Sequence, residues 1–330
     1  MFIAYASHTL YNCAVQPRSY SVTKLFSVAF GISVLFIAAW IVKDFVEHIS
    51  AEQLTEAIFR VPKSHIFLAV ILTMCNYIVL TSYDVLALKK LRQRLPYSNI
   101  ALTSFIAYAF SNNVGFPLIS SNTIRLRLYR RFGISVSMIA KLAAYCCATF
   151  WLGFAALGSV VFLLHPPHFP APSVFSPATI RLFGAALLTV LTVAITAIAM
   201  RKNVRVGSWQ LKSLDIQTLL LQMLFASLEI TVAASVLYVL LPFNISFVDI
   251  LGIFLISQIA SLASQVPGGV GVFEAMILLF LPKFDSPSLI SALLLYRLVY
   301  YFLPLVVAFL LLAYFESGKG MRYVPASGVS

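Results

Sequence analysis

Charge is what this 330-residue chain has least of. Asp, Glu, Lys and Arg make up 10% of it, against roughly a quarter in a soluble domain, which excludes an ordinary water-soluble globule. The shortage falls mainly on one sign, with 11 acidic residues against 23 Lys and Arg and a net charge of +12. Material for metal or redox chemistry is also thin. The four cysteines include no C-x-x-C pair, and Cys75, Cys146 and Cys147 sit in apolar runs, where they read as small buried hydrophobes. The five histidines are scattered, so no metal site and no cofactor are expected. A phosphate-binding G-x-x-x-x-G-K-[ST] loop, a nucleophile elbow and an H-E-x-x-H pair are all missing, which argues against ATP drive and the common hydrolases.

What is present is apolar. Hydrophobic residues make up 61% of the chain, and several runs exceed the ~18 residues that suggest a bilayer span. The fold class expected is an all-α polytopic membrane protein. The basic residues cluster in short links between the runs, as the positive-inside rule predicts. That accounts for the net charge without a nucleic-acid partner.

Six runs read as full spans: 25–42, 66–88, 136–163, 178–200, 217–241 and 288–315. The first lacks a small-residue cleavage pattern and reads as an uncleaved span behind an N-terminal arm, 1–24. Residues 25–316 then form the membrane domain, and 317–330 a short polar tail. Ser50-Ala51-Glu52-Gln53 resembles a capping box. Behind it, Leu54, Ala57, Ile58 and Val61 share one face of an expected interfacial helix.

Two further segments, 98–131 and 247–281, are long enough to matter but broken at their centres. The first breaks at Ser111-Asn112-Asn113-Val114-Gly115-Phe116-Pro117, and the second at Pro267-Gly268-Gly269-Val270-Gly271. The basic links fall on alternate sides of the membrane if each broken segment enters and leaves on one side, as a re-entrant helix pair or as a tight pair of short spans, with both termini cytoplasmic. The order span, span, broken segment, span then occurs twice, at about 25–163 and 178–315, with an offset of roughly 152 residues. Each copy crosses an odd number of times, so the copies are inverted, a plan common among transporters.

A broken helix inside a bilayer is tolerated where it is buried in protein or lines a watery cavity. Helix N-termini are expected near Ser121 or Asn122, followed by Thr123, and near Gly268, Gly269 and Gly271. Their free N–H groups would favour an anion. The competing reading is that the glycines serve close helix packing. Arg125 and Arg127 fall within about 10 Å of the expected Ser121 helix end; Arg130 and Arg131 read as headgroup-facing. Glu229 is mid-span, Arg297 lies inside the last span, Glu274 follows the second break, and Asp84 and Lys141 lie nearer span ends. An ionisable group in a span is costly and functional by default, with a structural ion pair as the rival for Glu229 and Arg297.

Four segments together, "LTSYDVLALKKLRQRLPY" (80–97), "SFIAYAFSNNVGFPLISSNTIRLRLYRRFGIS" (104–135), "SQVPGGVGVFEA" (264–275) and "YRLVYYFLP" (296–304), resemble the transmembrane domain of bacterial lysylphosphatidylglycerol synthase/flippase proteins. Ser120-Ser121 stands where a Gly-rich turn would be usual. The resemblance implies a multi-pass bacterial inner-membrane protein that moves an aminoacylated phospholipid, such as lysyl-phosphatidylglycerol, between leaflets, in a setting of lipid metabolism and antimicrobial peptide resistance. Two-domain relatives carry a soluble domain that transfers lysine from lysyl-tRNA to phosphatidylglycerol. Here a short polar tail follows the membrane region, so no aminoacyl transfer is expected, and a lipid-modifying enzyme is expected, if anywhere, as a separately encoded partner. On this reading Ser121, Asn122, Thr123, Arg125, Arg127, Gly268, Gly269, Gly271 and Arg297 hold the lipid phosphate. Glu229, Glu274 and Asp84 meet an ammonium headgroup or couple transport to an ion. The alternatives are an ion-coupled transporter of a small anion and a non-catalytic membrane partner of a lipid-modifying enzyme.

Overall fold

The computed structural model describes residues 50–114, 117–167, 176–200, 203–206, 209–212, 216–242, 244–282 and 286–317. The N-terminal arm, the span expected at 25–42 and most of the C-terminal tail lie outside them.

Chain order begins with α1, Ala51–Arg60. The expected capping box is present: Ser50 Oγ accepts from the Gln53 N–H at 3.1 Å, and Gln53 Oε1 accepts from the Ser50 N–H at 2.9 Å. Two first-turn donors that would otherwise lack partners are thereby satisfied. Helix α2, Lys63–Lys90, starts behind Pro62 and ends on Lys89 and Lys90. A 28-residue helix is about 42 Å long, enough to cross with both basic ends in the headgroups. The first broken segment is a helix pair, α3 (Tyr97–Val114) and α4 (Pro117–Tyr129), packed against each other. A 3-10 turn at Arg130–Phe132 leads through Gly133 to α5, Val136–Leu164, capped by Ser135.

Helix α6, Pro177–Met200, packs on α5. A two-stranded antiparallel hairpin follows, β1 (Asn203–Val206) with β2 (Trp209–Lys212), in register Val206 opposite Trp209. By sequence, this stretch is one of the basic links between apolar runs. Helix α7, Ile216–Leu240, packs most extensively on α2 and next on α5. The second broken segment is again a packed helix pair, α8 (Phe247–Ser264) and α9 (Val272–Phe280), joined through a 3-10 turn at Pro267–Gly269. The last span is α10 (Ser286–Tyr296), a π-helical turn at Arg297–Phe302, and α11 (Leu303–Glu316). In the π turn the Leu303 N–H reaches the Leu298 carbonyl, five residues behind. Pro304 follows in the first turn of α11, where its missing N–H is tolerated.

Among the described residues, six helices are long and apolar enough to cross a membrane: Lys63–Lys90, Val136–Leu164, Pro177–Thr196, Ile216–Leu240, Phe247–Ser264 and Pro287–Glu316. Five of them match expected spans. The sixth is α8, read from sequence as half of a re-entrant pair, yet at 18 residues about 27 Å long. Its return limb α9 has nine residues, about 14 Å, so the pair is lopsided. Among the described residues the order span, broken pair, span occurs twice, as α2, α3/α4, α5 and as α7, α8/α9, α10–α11.

Small residues bring the helices close. A Cβ on Gly153 of α5 would lie 2.1 Å from the Ala226 Cβ of α7. A Cβ on Gly184 of α6 would lie 3.0 Å from the Phe162 Cβ of α5. In lipid, where association depends on van der Waals packing, such close approach substitutes for a hydrophobic driving force.

Candidate functional site

The two breaks touch. A Cβ added to Gly268 would lie 3.1 Å from the Asn113 carbonyl oxygen and 3.4 Å from that of Asn112. Asn113 also donates from Nδ2 to the Tyr301 carbonyl at 3.1 Å and to the Ala109 carbonyl at 2.8 Å. The end of α3, the glycine turn and the π turn therefore meet at one point. Gly268 and Gly269 both have φ +61°, a left-handed conformation costly for a residue with a Cβ. Gly269 is doubly constrained, since its Cβ would lie 2.6 Å from the Ser261 Cβ.

Arg297 pins this turn. Its Nη1 donates to the Gly268 carbonyl at 2.6 Å and its Nη2 to the Gly269 carbonyl at 3.2 Å, while Nε donates to Glu274 Oε1. Glu274 Oε2 in turn accepts from the Gly271 N–H at 2.8 Å, capping α9. The guanidinium lies over the Tyr301 ring, 4.5 Å from its centroid. Both charged side chains remain 17% exposed, so this pair is reachable. The glycine turn thus shows two carbonyls to a cation, and its helix end is already met by a carboxylate.

A second pair is sealed. Arg125 of α4 donates to Asp84 of α2 through Nε at 3.1 Å and Nη2 at 2.7 Å. Tyr129 Oη donates to Asp84 Oδ2 at 2.7 Å, and the Cys146 thiol reaches Oδ1 at 3.3 Å. Arg125 is 2% exposed and Asp84 is not exposed at all, and the Tyr108 ring covers the guanidinium at 4.8 Å. A buried pair earns its place through such extra bonds, since desolvation costs both charges heavily.

Glu229 of α7 stands apart from both pairs. Its neighbours are the neutral side chains of Asn76 and Tyr83 from α2 and Tyr300 from the π turn; Tyr83 Oη donates to Oε2 at 3.4 Å. Asn76 Nδ2 donates to Tyr300 Oη at 2.6 Å. Stacked rings lead from there to the glycine turn: Tyr300 on Tyr296 at 5.2 Å, and Tyr296 on Phe273 at 5.6 Å between centroids.

The other expected site residues are placed differently. Helix α4 begins at Pro117 and not near Ser121, because proline suits the first helical position, where no N–H is needed. Ser121 and Asn122 are therefore inside the helix and buried, and Thr123 is exposed. Arg127 reaches away to Glu316 at 2.6 Å, at the end of α11. Gly271 caps α9 as expected. Neither Arg297 nor Arg125 pairs with Glu229; the partners are Glu274 and Asp84. Sequence reasoning missed Asn76, Tyr83 and Tyr129. For Asn76 and Tyr83 the signal was a polar and a tyrosyl residue inside the apolar run of α2; Tyr129, at the end of α4, gave none.

Comparison with known proteins adds to this geometry. The family model for the lysylphosphatidylglycerol synthase TM region matches residues 25–308. An uncharacterized Synechocystis protein, slr0712, is 32% identical over 89% of this chain and 93% of its own length. The Escherichia coli inner membrane protein YbhN is 28% identical over 92% of this chain and 95% of its own length. A Staphylococcus haemolyticus phosphatidylglycerol lysyltransferase is 29% identical over 86% of this chain, but the match spans only 34% of that enzyme.

Proposed function

The chain belongs to the lysylphosphatidylglycerol synthase TM-region family, and on that premise we propose that it moves a phospholipid bearing an anionic phosphate and an amino group between the two leaflets of the bacterial inner membrane. The observation that carries this reading is the accessible Arg297–Glu274 pair where the two broken helices meet. A headgroup with both charges can insert into that pair, the phosphate taking Arg297 and the ammonium taking Glu274. One ion pair becomes two, and no charge is left alone in a low-dielectric site. The positive end of α9 and the Gly271 N–H, released from Glu274, add donors for the phosphate. The acyl chains stay in the bilayer while the headgroup crosses.

The sealed Arg125–Asp84 pair holds the first broken segment against α2, and Arg127 with Glu316 ties α4 to the end of the last span. Glu229 serves the headgroup or an ion that drives it. Aminoacyl transfer is not assigned to this chain, and a lipid-modifying enzyme acting upstream is a partner in sequence of reaction only.

The test is the outer-leaflet lipid composition of cells with and without the gene. Loss of the gene should lower the outer-leaflet share of amino-bearing phospholipid without lowering its total amount. An unchanged share in both leaflets would remove this function.

A further inference from the structure

We infer that Glu229 is a proton-binding site and that the proton is the ion coupled to headgroup movement, an inference that rests on the translocation reading above. Glu229 is buried in mid-span, and its shell holds Asn76, Tyr83 and Tyr300 with no Lys, Arg or His among the described residues. Tyr83 Oη donates to Oε2 at 3.4 Å, and Asn76 Nδ2 donates to Tyr300 Oη at 2.6 Å. A buried carboxylate with no cation beside it is costly. Taking up one proton converts Glu229 from –COO⁻ to –COOH, which removes the charge and adds one O–H donor; releasing it restores the carboxylate.

The surroundings select a proton over a larger cation. Glu229 is 8% exposed, and Asn76, Tyr83 and Tyr300 close around the carboxyl group. A metal ion would need several anionic or carbonyl ligands, and no group of three His, Cys, Asp or Glu stands together among the described residues. The titratable groups facing Glu229 are Tyr77 and Tyr83 from α2 and Tyr296, Tyr300 and Tyr301 from the last span. On α2, Asp84 is held by Arg125. On α5, Lys141 is twelve residues before Gly153, where that helix meets α7, about 18 Å along the axis. On α8, Asp249 lies in the first turn. A buried carboxylate with neutral neighbours is the arrangement that proton relays in membrane transporters use.

The connection to the lipid site is covalent and short. Tyr300 touches the Glu229 cage, and Tyr301, next in the same π turn, covers the Arg297 guanidinium. Tyr296 stacks on Tyr300 and on Phe273, the residue before Glu274. Exchange of a proton at Glu229 changes which hydrogen bonds Tyr300 and Asn76 make, and the π turn carries that change to the Arg297–Glu274 pair.

Two measurements test this on the full chain. In detergent, infrared spectra across a pH titration should contain a carboxylic-acid C=O stretch that Glu229→Gln removes and Glu274→Gln retains. A wild-type spectrum without such a band at any pH, or a band untouched by Glu229→Gln, overturns the site. In vesicles containing phosphatidylglycerol and a fluorescent lysyl-phosphatidylglycerol, reversing an imposed pH gradient should reverse the direction of net lipid redistribution. Lipid movement indifferent to the gradient overturns the coupling and leaves translocation standing. No lipid movement under any gradient overturns translocation, and the coupling with it.

Discussion

Asn113 and Gly268 belong to different halves of the chain, yet the carbonyl of one stands 3.1 Å from where a Cβ of the other would be. That contact joins the two helix breaks into a single site. It also sets a local demand on the sequence, because Gly268 must combine φ +61° with no side chain.

Gly268→Ala should therefore lower stability by more than its conformational strain alone, roughly 1–2 kcal/mol, and should slow translocation. Gly133→Ala is the control. Gly133 has φ +82° but nothing within 4 Å of its Cβ position, so it should show the strain without the loss of transport. Thermal unfolding in detergent and lipid movement in vesicles measure the two effects separately.

Breaking the sealed pair should be severe. Asp84→Asn or Arg125→Gln leaves an uncompensated buried charge and should cost about 3–5 kcal/mol. The double replacement Asp84→Leu with Arg125→Met should recover much of that loss, since the charges disappear together. Melting temperatures of the two single variants and the double variant decide this.

Gly153→Ala places a Cβ 2.1 Å from that of Ala226, and neither atom can rotate away. The α5–α7 contact should open at a cost of about 1–3 kcal/mol. Adding Ala226→Gly should recover part of the melting temperature, because the Cβ clash is then gone while the Cα and carbonyl carbon of residue 226 stay 3.0 Å away.

At the glycine turn, Arg297→Lys should destabilise more than Glu274→Gln. Lysine has no planar fork to serve Gly268, Gly269 and Glu274 at once. A glutamine at 274 can still accept from the Gly271 N–H. The order of melting temperatures should be wild type, Glu274→Gln, then Arg297→Lys.

Much of this architecture is legible in the sequence, for reasons that are local. Apolar runs gave α2, α5, α6, α7 and the last span, and Ser50 with Gln53 announced the start of α1. Pro267 with three glycines marked the second break, and Ser111 through Pro117 the first. The start of α4 was misplaced by about one turn because Ser121 and Asn122 look like caps, while Pro117 fixes the helix earlier. The β-hairpin at 203–212 carries no apolar alternation strong enough to read. Which charges pair was not legible at all. Asp84 meets Arg125 across 41 residues and Glu274 meets Arg297 across 23, and separations of that kind are set by helix packing. The cage around Glu229 was hidden for the same reason, since Asn76, Tyr83 and Tyr300 come together only when α2, α7 and the π turn pack.

The central claim is that lipid headgroups cross at the junction of the two breaks. It is tested most directly by headgroup accessibility in vesicles reconstituted with purified protein, comparing wild type with the double variant Glu229→Gln, Arg297→Gln. The account predicts that wild-type protein exposes inner-leaflet amino-bearing phospholipid several-fold faster than protein-free vesicles, and that the folded double variant falls to the protein-free rate. Equal rates for wild type and double variant would contradict it.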